Sequence, residues 1–102
     1  MQFSQIFETI AKKRILLLRG EIHNDDQDLI CLGLKLCNVQ STTDTIELHI
    51  DSCGGSMTLG AYIIDAIQFS EAPIHGIVTG EASSAAFVIL QSCDRRLAYP
   101  NA

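Results

Sequence analysis

Ile74-His75-Gly76-Ile77-Val78-Thr79 runs without a break through Gly80-Glu81-Ala82-Ser83-Ser84 into Ala85-Ala86-Phe87-Val88-Ile89-Leu90. The first six residues read as a strand, and Ala85 to Cys93 reads as a helix. A strand that passes into a helix through one small-residue turn is a β-α unit, the building block of a mainly parallel sheet. Ser84 falls in the first turn of that helix, where backbone N–H groups lack intrahelical partners. Two readings follow. Ser83 or Ser84 can be an N-cap, a very common use of serine. Alternatively, a serine hydroxyl in a tight strand-to-helix turn can be a nucleophile, because small neighbours let a substrate approach and open N–H groups favour a developing anion. The match to G-x-S-x-G is partial, since Ala82 and Ala86 hold the glycine positions.

The same alternation repeats toward the amino end. Arg14 to Arg19 is a strand candidate built on Ile15-Leu16-Leu17-Leu18 and ended by Gly20, and Gln27 to Val39 is a helix with Asp25 or Asp26 as its cap. Gln40 to Asp44 reads as a polar turn, Thr45 to Asp51 as a strand and Ser52 to Gly55 as a glycine turn. Ser56 to Phe69 is a helix with Ala61, Ile64 and Ile67 on its buried face, Pro73 breaks it, and Arg96 to Tyr99 begins a fourth strand. In such α/β folds the crossovers are right-handed and the site lies beyond the carboxyl ends of the strands. Both glycine-rich turns fall at that edge. Gly55 can therefore supply one N–H, and the residue after Ser84 another, to hold an oxyanion. The rival reading of Asp51-Ser52-Cys53-Gly54-Gly55-Ser56 is a phosphate-cradling loop, but the lysine and spacing of a P-loop are absent, as is a dinucleotide fingerprint.

A chain of 102 residues, 47% apolar, suits a single small domain with a real core. Its net charge of −5 argues against nucleic acid or an anionic membrane as the main partner. Lys12-Lys13-Arg14 is the only basic run and reads as a solvated edge. No apolar stretch approaches the length of a membrane span, and Met1 to Ile10 lacks the pattern of a secretory signal, so a cytoplasmic or organellar protein is expected. Cys31, Cys37, Cys53 and Cys93 form no C-x-x-C pair, so neither metal nor redox chemistry is expected. His23, His49 and His75 each have a structural reading, in a polar turn and in two strands. The helices Gln27 to Val39 and Ser56 to Phe69 are apolar almost all round, more than a two-layer domain can bury, and part of that surface is expected to meet another subunit.

With these elements in place, the residues resemble the proteolytic subunit of the ATP-dependent Clp protease. RILLLRGEI, Arg14 to Ile22, resembles the family's first core strand, and IDSCGGS, Ile50 to Ser56, its I-N-S-P-G-G-S turn. GAYIIDAIQF, Gly60 to Phe69, resembles its helix G-x-x-I-Y-D-x-x-Q-F. Gly80 to Leu90 resembles G-Q-A-A-S-M-G-A-F-L-L, and RLAYPN, Arg96 to Asn101, resembles R-Y-A-L-P-N. Ile6 to Ile15 resembles the family's first helix running into its strand. The segment before it, which lines the axial pore in the family, is by this resemblance expected to be short or absent.

The resemblance implies an α/β fold of the crotonase-like, ClpP-like type, a spiral of repeated β-α units around a mainly parallel sheet. It implies a serine endopeptidase in which Ser84 is the acyl-forming nucleophile and the N–H groups of Gly55 and Ala85 form the oxyanion hole. Ser83 is the alternative if the register is set on Phe87 instead of Gly80. Cys53 replaces the family's proline, and Ala86 a glycine. The catalytic histidine, the ring-joining helix and the aspartate of the family follow its P-N. Residues 1–102 are thus expected to form a single peptidase domain, incomplete at the carboxyl end and inactive alone for want of a base. By the same resemblance the subunit needs no cofactor of its own. Its partners are copies of itself in stacked heptameric rings, a Clp-type ATPase that spends ATP, and unfolded polypeptide substrates. A non-catalytic ring subunit is the alternative, and an acyl-CoA-processing crotonase-like protein a more distant one.

Overall fold

Leu16, Leu18 and Ile22 alternate with exposed residues, as do Ile46, Leu48 and Ile50 with half-buried ones, so each strand turns one side to a core and the other away from it. The computed structural model describes residues 3–102. In chain order the elements are α1 (Phe3–Lys13), β1 (Ile15–Ile22), α2 (Asn24–Gln40), β2 (Ile46–Gly55), α3 (Met57–Phe69), β3 (Ile74–Ala82), α4 (Ala85–Gln91) and β4 (Arg95–Ala98). The four strands pair in sequence order and are parallel throughout, which is the alternating α/β architecture expected. The fully buried layer of Leu16, Leu18, Ile30, Ile46, Leu48, Ile50, Ile63, Ile74 and Ile89 lies between sheet and helices. Each such side chain contributes on the order of 1.5–3 kcal/mol through its removal from water.

The strands reach further than the local signals suggest. Gly20 and the Ser52-to-Gly55 segment, read as turns, are strand residues, because pairing resumes beyond a change of register. Between β1 and β2 the register is Arg19 with Asp51 and then Glu21 with Gly54, and between β2 and β3 it is Ile50 with Val78 and then Ser52 with Ala82. The first shift adds a residue to β2, and the second sets Thr79, Gly80 and Glu81 against Asp51 alone. Such bulges re-aim the chain that follows them.

Three further details differ from expectation. Helix α2 begins at Asn24, and Asp26 acts from inside its first turn by accepting the His23 N–H at 2.8 Å. On α3 the buried face is Gly60, Ile63 and Ile67, while Ala61 is exposed. Arg14 does not belong to a solvated edge: it sits at φ 57°, and its guanidinium donates to the carbonyls of Cys37 at 2.8 Å, Ser41 at 3.1 Å and Asp44 at 2.8 Å. These carbonyls close α2 and the turn after it, where a cation is favoured. Leu32, Val39, Tyr62 and Phe69 leave α2 and α3 with apolar surface in solvent. Among the described residues no helix is long and apolar enough to cross a membrane.

Candidate functional site

The carboxyl ends of β2 and β3 bring the two glycine-rich turns together. Gly54, at φ 93°, is the residue in contact with the serine turn: a Cβ there would stand 2.7 Å from the Ser83 carbonyl oxygen, 2.9 Å from the Ala85 nitrogen and 2.9 Å from Ser84 Cβ. Only glycine permits that approach at that backbone angle. Gly55, at φ 139°, has Ile22 and Glu21 on the side where a Cβ would stand.

Ser84 precedes α4 with φ 55° and ψ −126°, a conformation that costs a non-glycine residue on the order of 1–3 kcal/mol. Its hydroxyl makes no capping hydrogen bond and the residue is exposed, so the simple N-cap reading fails on geometry. Its carbonyl accepts from the N–H groups of Phe87 at 3.0 Å and Val88 at 3.3 Å, which fixes the start of the helix. No carbonyl among the described residues accepts from the Ala85 N–H.

Ser83 is held differently. Its hydroxyl donates to a Glu81 carboxylate oxygen at 2.7 Å, its N–H donates to the Ser52 carbonyl at 3.1 Å, and its carbonyl accepts from Ala86 at 3.1 Å. Of the two adjacent serines, Ser83 has an engaged hydroxyl and Ser84 an open one.

Beneath this turn lies a set of polar contacts that the sequence did not reveal. Ser52 is buried, with 1% of its surface exposed; its hydroxyl donates to the Gly20 carbonyl at 2.6 Å and accepts from the Gly54 N–H at 3.0 Å. The Asp51 carboxylate accepts from the Glu81 N–H at 3.1 Å. Asp51 and Ser52 are the residues at which both ladders change register, so their side chains take up backbone groups that the shifted ladders leave over. A period-2 pattern carries no mark of such a shift.

The histidines are elsewhere. His49, bonded to Glu47 at 2.8 Å, precedes Gly54 by five strand residues, roughly 16 Å at the usual rise. His75 lies at the opposite end of β3. His23 follows β1 at the same edge, two strands across, with its ring 3.4 Å from a Glu21 oxygen and 3.7 Å from an Asp26 oxygen. Cys53 is exposed beside Gly54, whereas Cys37 and Cys93 are buried and burial raises both thiol pKa values, that of Cys93 to about 11. No group of three or more His, Cys, Asp or Glu side chains among the described residues could hold a metal ion.

The arrangement offers an open hydroxyl, a close-packed glycine turn and backbone donors at one sheet edge, which suits attack on a carbonyl with the resulting anion held by N–H groups. The family model described as Clp protease matches residues 1–102, and the chain belongs to that family.

Proposed function

We propose that this chain supplies the nucleophile of a serine endopeptidase that degrades unfolded polypeptides inside a ring assembly fed by a Clp-type ATPase. The observation that carries the reading is Ser84: an uncapped, exposed hydroxyl held in a strained turn against Gly54. Ser84 Oγ attacks the scissile carbonyl, its proton passes to a general base, and the anion formed is held by the N–H groups of Gly55 and Ala85. The Gly54 N–H is engaged with Ser52 Oγ, which favours Gly55 as the donor on that side. The amine leaves with the proton, and water then cleaves the acyl-serine ester. None of His23, His49 and His75 serves as the base, which the family resemblance puts after the segment matching R-Y-A-L-P-N. The exposed apolar residues of α2 and α3 support contact with further copies of the subunit. No cofactor enters this scheme, and the compartment is the cytoplasm or an organellar matrix.

The test is covalent labelling of the full-length protein by a fluorophosphonate. Labelling of the wild type and its loss in Ser84→Ala are expected; transfer of the label to Ser83 would reverse the register. Equal labelling of the Ser84→Ala protein removes the assignment. A full-length protein that assembles with an active paralogue, and whose ring activity is unchanged by Ser84→Ala, is a non-catalytic subunit instead.

A further inference from the structure

The chain between the last regular pair of β2 and β3 and the nucleophile turn is short, and it is not held by the ladder. After Ile50 pairs with Val78, the next pair is Ser52 with Ala82, so β3 carries three residues where β2 carries one. A bulge of this size leaves N–H groups without ladder partners and lets the strand end drift unless something catches it. Two contacts do so. Thr79 Oγ1 donates to the Ile50 carbonyl at a long 3.4 Å, and the Glu81 N–H donates to the Asp51 carboxylate at 3.1 Å. The second is the stronger kind, since its acceptor is a carboxylate.

The same carboxylate also packs against Gly80. A Cβ at Gly80 would stand 2.7 Å from Asp51 Cγ, so the carboxyl group fills the space where a side chain would be. Beyond it the chain is relayed to the nucleophile by Glu81, whose carboxylate accepts from Ser83 Oγ at 2.7 Å, and by Ser52, whose carbonyl accepts from the Ser83 N–H at 3.1 Å.

We propose that Asp51 is a positioning residue for the Ser84 turn: its carboxylate stands in for the ladder bond missing at the β3 bulge and fixes where the strand delivers the nucleophile. The inference rests on Ser84 being that nucleophile. Asp51 acts through the backbone of Gly80 and Glu81. Its loss therefore slackens the placement of the reacting atom and leaves substrate contacts in place, an effect on kcat more than on KM.

The experiment uses the full-length protein and reads kcat and KM for a short peptide ester together with the rate of fluorophosphonate labelling. Asp51→Ala is expected to lower kcat and the labelling rate by about tenfold to a hundredfold, with KM within about twofold. Asp51→Asn keeps a carbonyl oxygen for the Glu81 N–H and is expected within about threefold of the wild type. Gly80→Ala, which displaces the carboxylate while leaving Asp51 in the chain, is expected to reproduce the loss and to add little to Asp51→Ala. It also provides the reading if Asp51→Ala fails to fold. Wild-type kcat in Asp51→Ala, an Asp51→Asn protein as slow as Asp51→Ala, or an unaffected Gly80→Ala protein overturns the proposal. Persistence of the label in Ser84→Ala would instead remove the nucleophile itself, so the two failures are separable.

Discussion

Gly54 and Ser84 share one strained contact, and glycine is required at only one side of it. An alanine at Gly54 would have to keep φ near 93° while its Cβ pressed on backbone atoms of Ser83 and Ala85 at 2.7 and 2.9 Å. Neither neighbour is the flexible end of a side chain, so the turn itself must move. Backbone strain and overpacking together give an expected destabilisation of about 2–5 kcal/mol for Gly54→Ala, with loss of labelling at Ser84. Urea unfolding monitored by circular dichroism measures the first and a gel-based label assay the second; wild-type stability would show that the turn is more open than described. The candidate serine and the Cys53-Gly54-Gly55 turn stood out in the sequence, as a hydroxyl among small neighbours and as paired glycines, but that Gly54 is the glycine packed against the serine turn did not. Nor did Asp51, Ser52 and Glu81. Their roles exist only after two ladders shift register, and no residue announces that shift.

At the scale of elements, the three β-α units and the strand that follows them were legible from apolar periodicity, while the ends of the elements were not. Strands β2 and β3 continue through the segments read as turns because parallel pairing re-forms beyond each bulge. Arg14 shows the other kind of miss: a basic run gives no hint that one of its members turns inward to collect the carbonyls at the end of a helix still distant in sequence. The planar fork of its guanidinium reaches Cys37, Ser41 and Asp44 at once, which a lysine ammonium cannot match. Arg14→Lys is expected to lower the unfolding free energy by about 1–3 kcal/mol with an unchanged denaturant slope, through carbonyls left partly unsatisfied. A change below about 0.5 kcal/mol in the same urea titration would mean that solvent satisfies those carbonyls as well as the guanidinium does.

For the whole molecule, the parallel strand order follows from the alternation of elements and the rule that successive units lie side by side. What sequence could not give is how the layers close on one another across that sheet, and Cys93 is the instance with a measurable consequence. It reads as a residue in a helix, yet it lies just past α4 with its thiol directed at the Ile89 carbonyl, 3.7 Å away, and against Gly76 of β3, where an added Cβ would be 3.0 Å from the sulfur. Burial first, and the neighbouring Asp94 second, push the thiol from its ordinary value near 9 up to about 11, against the opposing pull of Arg96. The sign follows from proton binding. Below pH 9 both folded and unfolded chains keep the proton, and the thiol adds no slope. Between about 9 and 11 the unfolded chain loses it and the folded one retains it, so stability falls as pH rises, by up to about 2–3 kcal/mol across the window. Cys93→Ala removes this titration together with the contacts of the sulfur, so the wild type should be the more stable at pH 8 by about 1–2 kcal/mol. That advantage should shrink steadily between pH 9 and 11 and vanish or reverse toward the upper end of the window in parallel unfolding titrations. A gap between the two proteins that stayed constant over that range would show that the thiol ionises as readily in the folded chain as in the unfolded one, and that the closure of α4 on β3 is looser than the contacts at Gly76 imply.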